Sequence, residues 1–426
     1  MTPLEIFALA VFIFTYALII SERIHRTVAA MAGGSLVLLA NIVPWEKVPL
    51  YLDLDTILLL AGMMIIVNTT RLSGLFEYIA IKTAKLAKGD PIRVLLLFSV
   101  VTALISAFLD NVTTVLLLTP MLIYISRLME VTPLPFLLSE IFASNIGGMA
   151  TLIGDPPNIM IGSAAGLSFS EFLLNMGPIA FLDLILMVFV VYLAYRGTLK
   201  VSPEKKERIL RTLNNLDERS AIRDLALFRK SIVTIALVVF FFFVHDKLEI
   251  EPAVVALFGA SLLLFWSREN PEGILEKVEW ATLFFFGGLF LIVGGLVETG
   301  FIEQIAQWIT SFVHNEGEAV LVIAWFSAFA SAIIDNIPFT ATMIPLIKAM
   351  GGSLNTYPLW WALSLGACLG GNGTAIGASA NVVVIGIAAR EDIRITFMDF
   401  LKIGMLIMVL TVGAGVGILW LRYVWW

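Results

Sequence analysis

Two near-copies of one short polar segment, embedded in apolar sequence, constrain this chain most. The first runs from Ser106 through Asp110-Asn111 to Pro120, and the second runs from Ser331 through Asp335-Asn336 to Pro345. A charged side chain or a broken helix inside a lipid bilayer is costly, so such features usually mark an ion or substrate pathway. The repeat therefore predicts a membrane protein with two related halves that meet at a polar centre.

Composition supports a membrane location. The chain is 59% hydrophobic and only 14% charged, whereas soluble domains are about 45–50% apolar and about 25% charged. Apolar stretches of nearly 20 residues recur along all 426 residues, which predicts an all-α polytopic membrane protein rather than the short alternating segments of a transmembrane barrel. A single cysteine, Cys368, excludes a disulfide framework. His25, His245 and His314 fall near predicted helix ends, so no zinc site is expected.

Hydropathy predicts five crossing segments and one hairpin in each half. Residues 92–128 and 318–350 are apolar but broken at their centres by the Asp-Asn pairs, which leaves arms too short to span comfortably. We interpret both as re-entrant helical hairpins with Asp-Asn at the tip, buried in protein at membrane depth. The crossing segments are 3–21, 27–44, 54–70, 133–164 (interrupted at 154–158), 176–195, 229–245, 252–267, 281–297, 357–389 (interrupted at 370–381) and 402–421.

The two halves define the predicted organisation: a first membrane repeat at 1–198, a linker at 199–227 and a second repeat at 228–426. Five crossings per half is an odd number, so the second repeat must be inverted. With the linker in the cytoplasm, 23 of the 27 Lys and Arg residues lie inside, as the positive-inside rule requires. The sequence thus predicts a multi-pass protein of the inner or plasma membrane with both termini outside. The first hairpin enters from the cytoplasm and the second from outside.

A second polar interruption follows each hairpin. The first break leads from Gly147-Gly148 to Asp155-Pro-Pro-Asn158, and its two prolines remove backbone donors and disfavour helix. The second leads from Gly370-Gly371 to Asn381, with Ala378 where the first has Asp155. Broken helices expose N–H groups to anions and carbonyls to cations. The predicted substrate and ion site comprises Asp110, Asn111, Thr113, Thr151, Asp155, Asn158, Asp335, Asn336, Thr340, Asn372, Thr374, Ser379 and Asn381.

Each acidic candidate has a structural alternative. Asp110 and Asp335 can cap the helical arm that follows, and Asp155 can cap a helix resuming at Asn158. Glu140, on an otherwise apolar helix, is either a proton carrier for coupling or a buried partner of an arginine or a backbone donor. Asp183 is expected near the outer end of its helix, at the interface.

The sequence carries no recognisable nucleotide-binding motif, so the energy for transport must come from another source. The sequence has no G-x-x-x-x-G-K-[ST] and no Rossmann context, so transport is driven by a gradient of H⁺ or Na⁺ or by a separate ATPase subunit. Cofactors and nucleic acid are not expected. No nucleophile–base pair or metal cluster of an intramembrane enzyme is evident, and a channel is the remaining alternative class.

The motifs resemble those of the ion transporter superfamily, which contains ArsB-type arsenite permeases, NhaD-type sodium/proton antiporters and divalent anion/sodium symporters. The likeness is strongest to the melanosomal P protein group. It is carried by Asp110-Asn-Val-Thr-Thr, Ile-Gly-Asp155-Pro-Pro-Asn, Asp335-Asn-Ile-Pro-Phe-Thr-Ala-Thr and Gly-Gly-Asn372-Gly-Thr-x-Ile-Gly-Ala-Ser-Ala-Asn381. The resemblance implies a homodimer with a scaffold domain and a moving transport domain.

The chain departs from the divalent anion symporters where the chemistry matters. Their tips carry Ser-Asn-Thr and their first break carries Gly-Thr-Pro-Pro-Asn, whereas this chain has carboxylates at Asp110, Asp335 and Asp155. This difference favours proton-coupled export of a small inorganic solute such as arsenite or antimonite, held as its hydroxide because one thiol cannot supply a soft arsenic site. Sodium-coupled transport of an anion or a di- or tricarboxylate, and sodium/proton antiport, stay open as alternatives.

Overall fold

The computed structural model describes residues 2–21, 23–215, 217–313 and 315–424, without the side chain of residue 214. His314, one of the three histidines of the chain, lies outside the described residues. Within those ranges the regular structure is helical, with three short 3₁₀ turns and no strand.

The first half contains ten helices. Helices α1 to α10 are Pro3–Ser21, Arg26–Leu39, Val48–Tyr51, Leu54–Leu72, Leu75–Leu86, Pro91–Ser106, Asn111–Leu128, Leu134–Met149, Pro156–Ala165 and Phe169–Tyr195. Helices α6 and α7 are the arms of the first hairpin, and α8 and α9 flank the first break.

A linker helix, α11, covers Pro203–Asn215, and the second half repeats the order of the first. Helices α17 and α18 form the second hairpin, and α19 and α20 flank the second break. Helices α12 to α21 are Leu225–Val244, Pro252–Ser267, Pro271–Leu275, Trp280–Glu298, Phe301–Thr310, Glu316–Ser331, Asn336–Met350, Tyr357–Gly370, Ser379–Arg390 and Phe397–Tyr423.

Length and apolar composition make seven helices of the described chain able to cross a membrane, namely α1, α4, α7, α10, α12, α15 and α21. Helices α2, α6, α13 and α20 are apolar but only 12–16 residues long, too short to cross alone. Paired with a second arm or buried among longer helices, such segments are tolerated at membrane depth. The prediction of an all-α polytopic membrane protein is confirmed.

Three helix starts differ from the hydropathy prediction by four residues or more. Helix α12 begins at Leu225 rather than 229, after the capping residue Asp224. Helix α10 begins at Phe169 rather than 176 because Ser168 and Glu171 form a capping box, and α21 begins at Phe397 through the equivalent box of Thr396 and Asp399. The earlier start of α10 puts Asp183 in the middle of a 27-residue helix, fully buried. The interfacial position expected for Asp183 is therefore wrong.

The helices pack as two groups. The scaffold group comprises α1, α2, α4, α12, α13 and α15, in which α2 packs on α15 and α13 packs on α4. These two contacts are equivalent in the repeat: a Cβ on Gly62 would meet the backbone of Ala256, and one on Gly288 would meet that of Ala30. The hairpin group comprises α6 to α10 and α17 to α21, with α6 on α8, α17 on α19 and α10 on α21.

The most deeply buried elements are α8 and α19 of the hairpin group. Every residue from Pro135 to Met149, and every residue from Pro358 to Gly370, is buried. A helix that is apolar on all sides belongs in the interior of a bundle. The breaks that follow these two helices, and the hairpin tips packed beside them, are thereby placed at the centre of the molecule.

Candidate functional site

The two hairpin tips have the same backbone design. In each, one arm ends at a serine and the next arm starts after an aspartate that caps it. Asp110 Oδ1 accepts the backbone N–H of Thr113 at 2.8 Å, and Asp335 Oδ1 accepts that of Ile337 at 3.1 Å. One oxygen of each carboxylate therefore caps the helix that follows, as the structural alternative predicts. The second oxygen can accept a hydrogen bond from another group.

The second oxygens have different partners. Asp110 Oδ2 accepts the hydroxyl of its own Thr113. Pro338 stands at the matching place of the second tip, and Asp335 Oδ2 instead accepts Arg26 Nη1 at 3.2 Å and Ser379 Oγ at 2.8 Å. The first carboxylate is satisfied within its own tip, and the second depends on two other helices.

Serine and threonine hydroxyls fasten each tip to its neighbouring break in the same way in both halves. Thr151 donates to the carbonyl of Ala107, as Thr374 does to that of Ala332. Ser106 donates to the Ser144 carbonyl at 2.7 Å and Ser331 to the Ala367 carbonyl at 2.6 Å. Helix ends leave backbone carbonyls unsatisfied, and the hydroxyls of Thr151 and Thr374 satisfy those at the ends of the first arms. Thr151 and Thr374, both site candidates from the sequence, hold the backbone in place.

Asn158 and Asn381 hold the broken backbone itself. Asn158 Nδ2 lies 2.9–3.2 Å from the carbonyls of Gly148, Met149 and Thr151. Asn381 Nδ2 lies 2.7 Å and 2.9 Å from those of Gly371 and Thr374. Their side-chain oxygens accept from neighbours, including Ser364 Oγ on Asn158 at 2.6 Å. Both asparagines are fully buried and act as braces for the unwound segments.

Asp155 differs from both tip carboxylates. Helix α9 resumes at Pro156, not at Asn158, because proline favours the first helical position. Asp155 precedes it but makes no capping hydrogen bond, so the capping alternative for this residue is wrong. Its carboxylate instead accepts Asn336 Nδ2, at 3.3 Å to one oxygen and 3.1 Å to the other. The first break is thus joined to the tip of the opposite hairpin.

A chain of buried amides joins the halves a second time. Asn111 Nδ2 donates to Asn145 Oδ1 at 3.3 Å. Asn145 Nδ2 in turn donates to Asn372 at 2.9 Å and to Asn381 at 3.2 Å. Every amide here is at most 5% exposed, so this network has the low-dielectric surroundings in which hydrogen bonds are strong and an unpaired group is costly.

These groups surround a small central cavity. Its volume is about 30 Å³, roughly the share of one water molecule in the liquid. Three carboxylates and one guanidinium line it, from Asp110, Asp155, Glu279 and Arg26. An excess of buried negative charge is unfavourable unless it is neutralised. A proton or a small cation at this place would neutralise it.

Larger openings lie on either side of the centre. A vestibule of about 390 Å³ is lined by His25, Arg26, Asp335 and Ser379 among aliphatic side chains. A second, of about 330 Å³, is lined by the acidic residues Asp55, Asp246, Glu249 and Glu251, together with His245. Part of the lining corresponds in the repeat: Glu251 takes the place of His25. The two vestibules differ in charge: one has Arg26 paired with Asp335, and the other has four acidic side chains.

Two candidates, Glu140 and Thr340, and the buried Asp183 lie away from this cavity. Glu140 is buried and its Oε2 accepts Thr119 Oγ1 at 3.0 Å, while Oε1 has no partner in the described structure. The arginine or backbone-donor partner considered for Glu140 is thus absent among the described residues. Thr340 Oγ1 and both carboxylate oxygens of Asp183 are likewise buried without a described partner.

Sequence reasoning misses Arg26, Asn145 and Glu279. The charge count assigns Arg26 to a cytoplasmic loop, and its contact with Asp335 spans 309 residues of sequence, so no local pattern reveals it. Asn145 carries a usable signal, an amide in an apolar helix two residues before Gly147. Glu279 matches Asp53 in the repeat, and each accepts a threonine hydroxyl three residues on.

Paired hairpins, broken helices and a charged centre within an apolar helical bundle are typical of a membrane transporter. A family model described as citrate transporter (CitMHS) matches residues 16–366. The chain belongs to this family of secondary transporters, within the ion transporter superfamily.

Full-length relatives support the family assignment. The chain is 42% identical over 429 residues to a "46 kDa membrane protein" of Mycobacterium leprae, and equally to an "Uncharacterized transporter" of Mycobacterium tuberculosis, with 99% of each chain covered. It is 33% identical to the human P protein over 96% of this chain and 59% of that protein. The expected likeness to the P protein group is confirmed.

A solved structure has the same fold. The YdaH transporter of Alcanivorax borkumensis, whose topology is described as unusual, superposes with a TM-score of 0.59 over 89% of this chain and 88% of that chain. The identity is 13%, so the likeness concerns the fold alone.

Proposed function

We propose that this protein is a proton-coupled secondary transporter that exports a small inorganic solute by alternating access. The supporting observation is the central cavity, where Asp110, Asp155 and Glu279 face a single guanidinium. A buried surplus of carboxylates is stable only with protons or a cation present. Loading and unloading of that charge from opposite sides of the membrane is the basis of coupling.

Arsenite and antimonite are the proposed solutes. As neutral hydroxides they can exchange hydrogen bonds with the amides of Asn111 and Asn336, which both donate and accept. Cys368 is buried, and its thiol lies 3.5 Å from Asn158 Oδ1. It is the one cysteine of the chain, so a site of three thiolates cannot form and the solute must be held by oxygen and nitrogen atoms. The cavity must widen to admit the solute, and the vestibules of about 390 and 330 Å³ are the proposed entry paths.

Sodium-coupled citrate or dicarboxylate transport is the second candidate. The description of the matching family as a citrate transporter favours it, and Arg26, which lines one vestibule, can bind a carboxylate through its planar guanidinium. Against it, the three carboxylates at the centre repel an anion. Sodium/proton antiport is a third possibility, because the same oxygens suit Na⁺.

Purified protein in proteoliposomes separates the three. We expect uphill flux of arsenite or antimonite under an imposed proton gradient, and its loss when a protonophore is added. Flux that persists with the proton gradient collapsed and follows the sodium gradient would exclude proton coupling. Citrate-dependent charge movement without arsenite flux would favour the second candidate, and Na⁺ flux with neither solute would favour antiport.

The proposed setting is a homodimer in the cell membrane, with linker 199–227 in the cytoplasm and both termini outside. Ion pairs support the placement of the linker beside the first hairpin: Lys206 Nζ lies 2.6 Å from Asp90, and Lys205 and Arg208 lie 2.9 and 2.8 Å from Glu130. Accessibility of single cysteines in the linker and at the C-terminus to an impermeant reagent, applied to each membrane face, tests the orientation.

A further inference from the structure

Arg26 is the one described cation at the central site, and three contacts define its position. Its Nη1 donates to Asp335 Oδ2 at 3.2 Å and to Ser379 Oγ at 2.7 Å. The guanidinium carbon lies 5.2 Å from the centre of the Phe285 ring, a cation–π distance. Ser379 also donates to Asp335, so the three polar groups form a closed triangle.

The triangle joins the two helix groups. Arg26 is the first residue of α2, and Phe285 lies on α15, both in the scaffold group. Asp335 is at the tip of the second hairpin and Ser379 is the first residue of α20, both in the hairpin group. Any displacement of one group along the other must therefore break the contacts of Arg26 with its acceptors.

The first half has no equivalent contact among its described residues. Pro252 occupies the place of Arg26 at the start of α13, and Pro156 occupies the place of Ser379 at the start of α9. Neither proline has a polar side chain, and Asp110 takes the Thr113 hydroxyl instead. The contact is a specific feature of one side and not a consequence of the repeated fold.

Arg26 also separates the cavity from one vestibule. Arg26 and Ser379 line both the central cavity of about 30 Å³ and the vestibule of about 390 Å³. The side chains of Arg26 and Asp335 are 30% and 16% exposed. They therefore face the vestibule water enough for the pair to open and close, since partly solvated ion pairs are weak.

We propose that Arg26 is a latch that holds the hairpin group on the scaffold and closes the cavity until the coupling cation neutralises Asp335. This inference rests on the proposed cation coupling. A proton or Na⁺ on Asp335 removes the acceptor charge, Arg26 turns back into the vestibule, and the hairpin group is free to move. An unloaded carrier stays latched, which prevents movement without the coupling ion. Arg26 acts here as a positioning residue.

The test is thiol labelling of a cavity residue from the vestibule side. Met64 lines the cavity on α4, so Met64→Cys in a Cys368→Ala background is exposed to a small impermeant methanethiosulfonate reagent in liposomes, added to each face in turn. We expect labelling about tenfold faster in Arg26→Gln, the factor set by one charged hydrogen bond. Asp335→Asn, which imitates the neutral state, should match it, and the double variant should be no faster.

Arg23→Gln is the matched control. It removes the same charge three residues earlier, in the loop before α2, at a residue outside both linings and should label at the parent rate. Arg26→Lys keeps the charge without the planar fork and should fall between the parent and Arg26→Gln. Thermal unfolding in detergent verifies that each variant is folded. Equal labelling in the parent and Arg26→Gln, or equal acceleration by Arg23→Gln, would overturn the latch.

Labelling needs neither solute nor gradient, so it is independent of the transport assay. If Arg26→Gln accelerates labelling while the parent moves no solute, the latch stands and the proposed function fails. If the parent transports but labelling is insensitive to Arg26, the function stands and the latch fails.

Discussion

The two hairpin tips have nearly the same sequence and different partners. Asp110 satisfies its carboxylate inside its own tip, through the N–H and hydroxyl of Thr113. Pro338 denies Asp335 that hydroxyl, and the carboxylate reaches Arg26 and Ser379 on other helices. Pro338 in place of Thr113 leaves one oxygen of Asp335 available, and Arg26 and Ser379, where the other half has Pro252 and Pro156, donate to it. The residues that repeat in both halves form the cavity, and the residues that differ give only the second tip a contact with the scaffold group.

The largest expected effect is on transport. Asp110→Asn and Asp335→Asn should each reduce coupled flux by about a hundredfold, the scale of one strong charged hydrogen bond. Both should stay folded, because asparagine also caps a helix. Solute flux in proteoliposomes and thermal unfolding measure the two properties. Asp217→Asn, at a cap in the linker, is the matched change. Normal coupled flux in either tip variant would reduce that aspartate to a cap.

The next largest effect is on stability, and it compares the two asparagines that brace the broken helices, Asn158 and Asn381. Asn158→Ala removes two N–H donors, shared among three carbonyls, and the acceptor of Ser364. Asn381→Ala removes two N–H donors and the acceptor of Asn145, so we expect each variant to lose about 3 kcal/mol in unfolding free energy. Thermal or denaturant unfolding in detergent measures both. A larger loss of stability in Asn381→Ala than in Asn158→Ala would show that the hydrogen bond from Asn145 stabilises the second break more than Ser364 stabilises the first.

Threonine variants give a smaller and more selective contrast. Thr113→Val removes the hydroxyl partner of Asp110 and should cost about 1 kcal/mol. Thr340→Val removes a buried hydroxyl with no described partner and should be neutral within about 0.5 kcal/mol. Stability from unfolding is then compared with flux. If Thr340→Val keeps stability but loses transport, Thr340 contacts the solute.

The smallest effect concerns the linker beside the first hairpin. Hydrogen bonding and charge from Lys205, with the charge of Arg208, hold the pKa of Glu130 below its usual value. The stabilisation that ionised Glu130 gives to the linker is therefore fully present above the ordinary pKa of glutamate. It is lost as the pH falls through the lowered pKa of Glu130. Glu130→Gln should speed proteolysis of the linker slightly at low salt and not at high salt. If the parent and Glu130→Gln are cleaved at equal rates at both salt concentrations, the ion pairs of Glu130 do not hold the linker. Glu46→Gln serves as the control.

Much of this architecture could be predicted from local sequence. The hairpins, the breaks and the capping aspartates follow from apolar runs interrupted by Asp-Asn, glycine and proline. The start of α10 is also predictable, because Ser168 and Glu171 form a capping-box pattern that hydropathy alone ignores. Arg26 could not be predicted, since its partner is 309 residues away and charge counting assigns any arginine at a helix end to a loop. The wrong position expected for Asp183 follows from the late helix start that hydropathy gives.

The measurement that tests proton coupling most directly is a lumenal pH recording in liposomes during solute flux, comparing the parent with Asp155→Asn. Asp155 lines the cavity and has no capping role, so the variant removes a proton or cation site without removing a helix cap. We predict a fixed ratio of protons to solute in the parent and no solute-dependent proton movement in the variant. An unchanged proton signal in Asp155→Asn, or solute flux in the parent without any proton movement, would contradict the account.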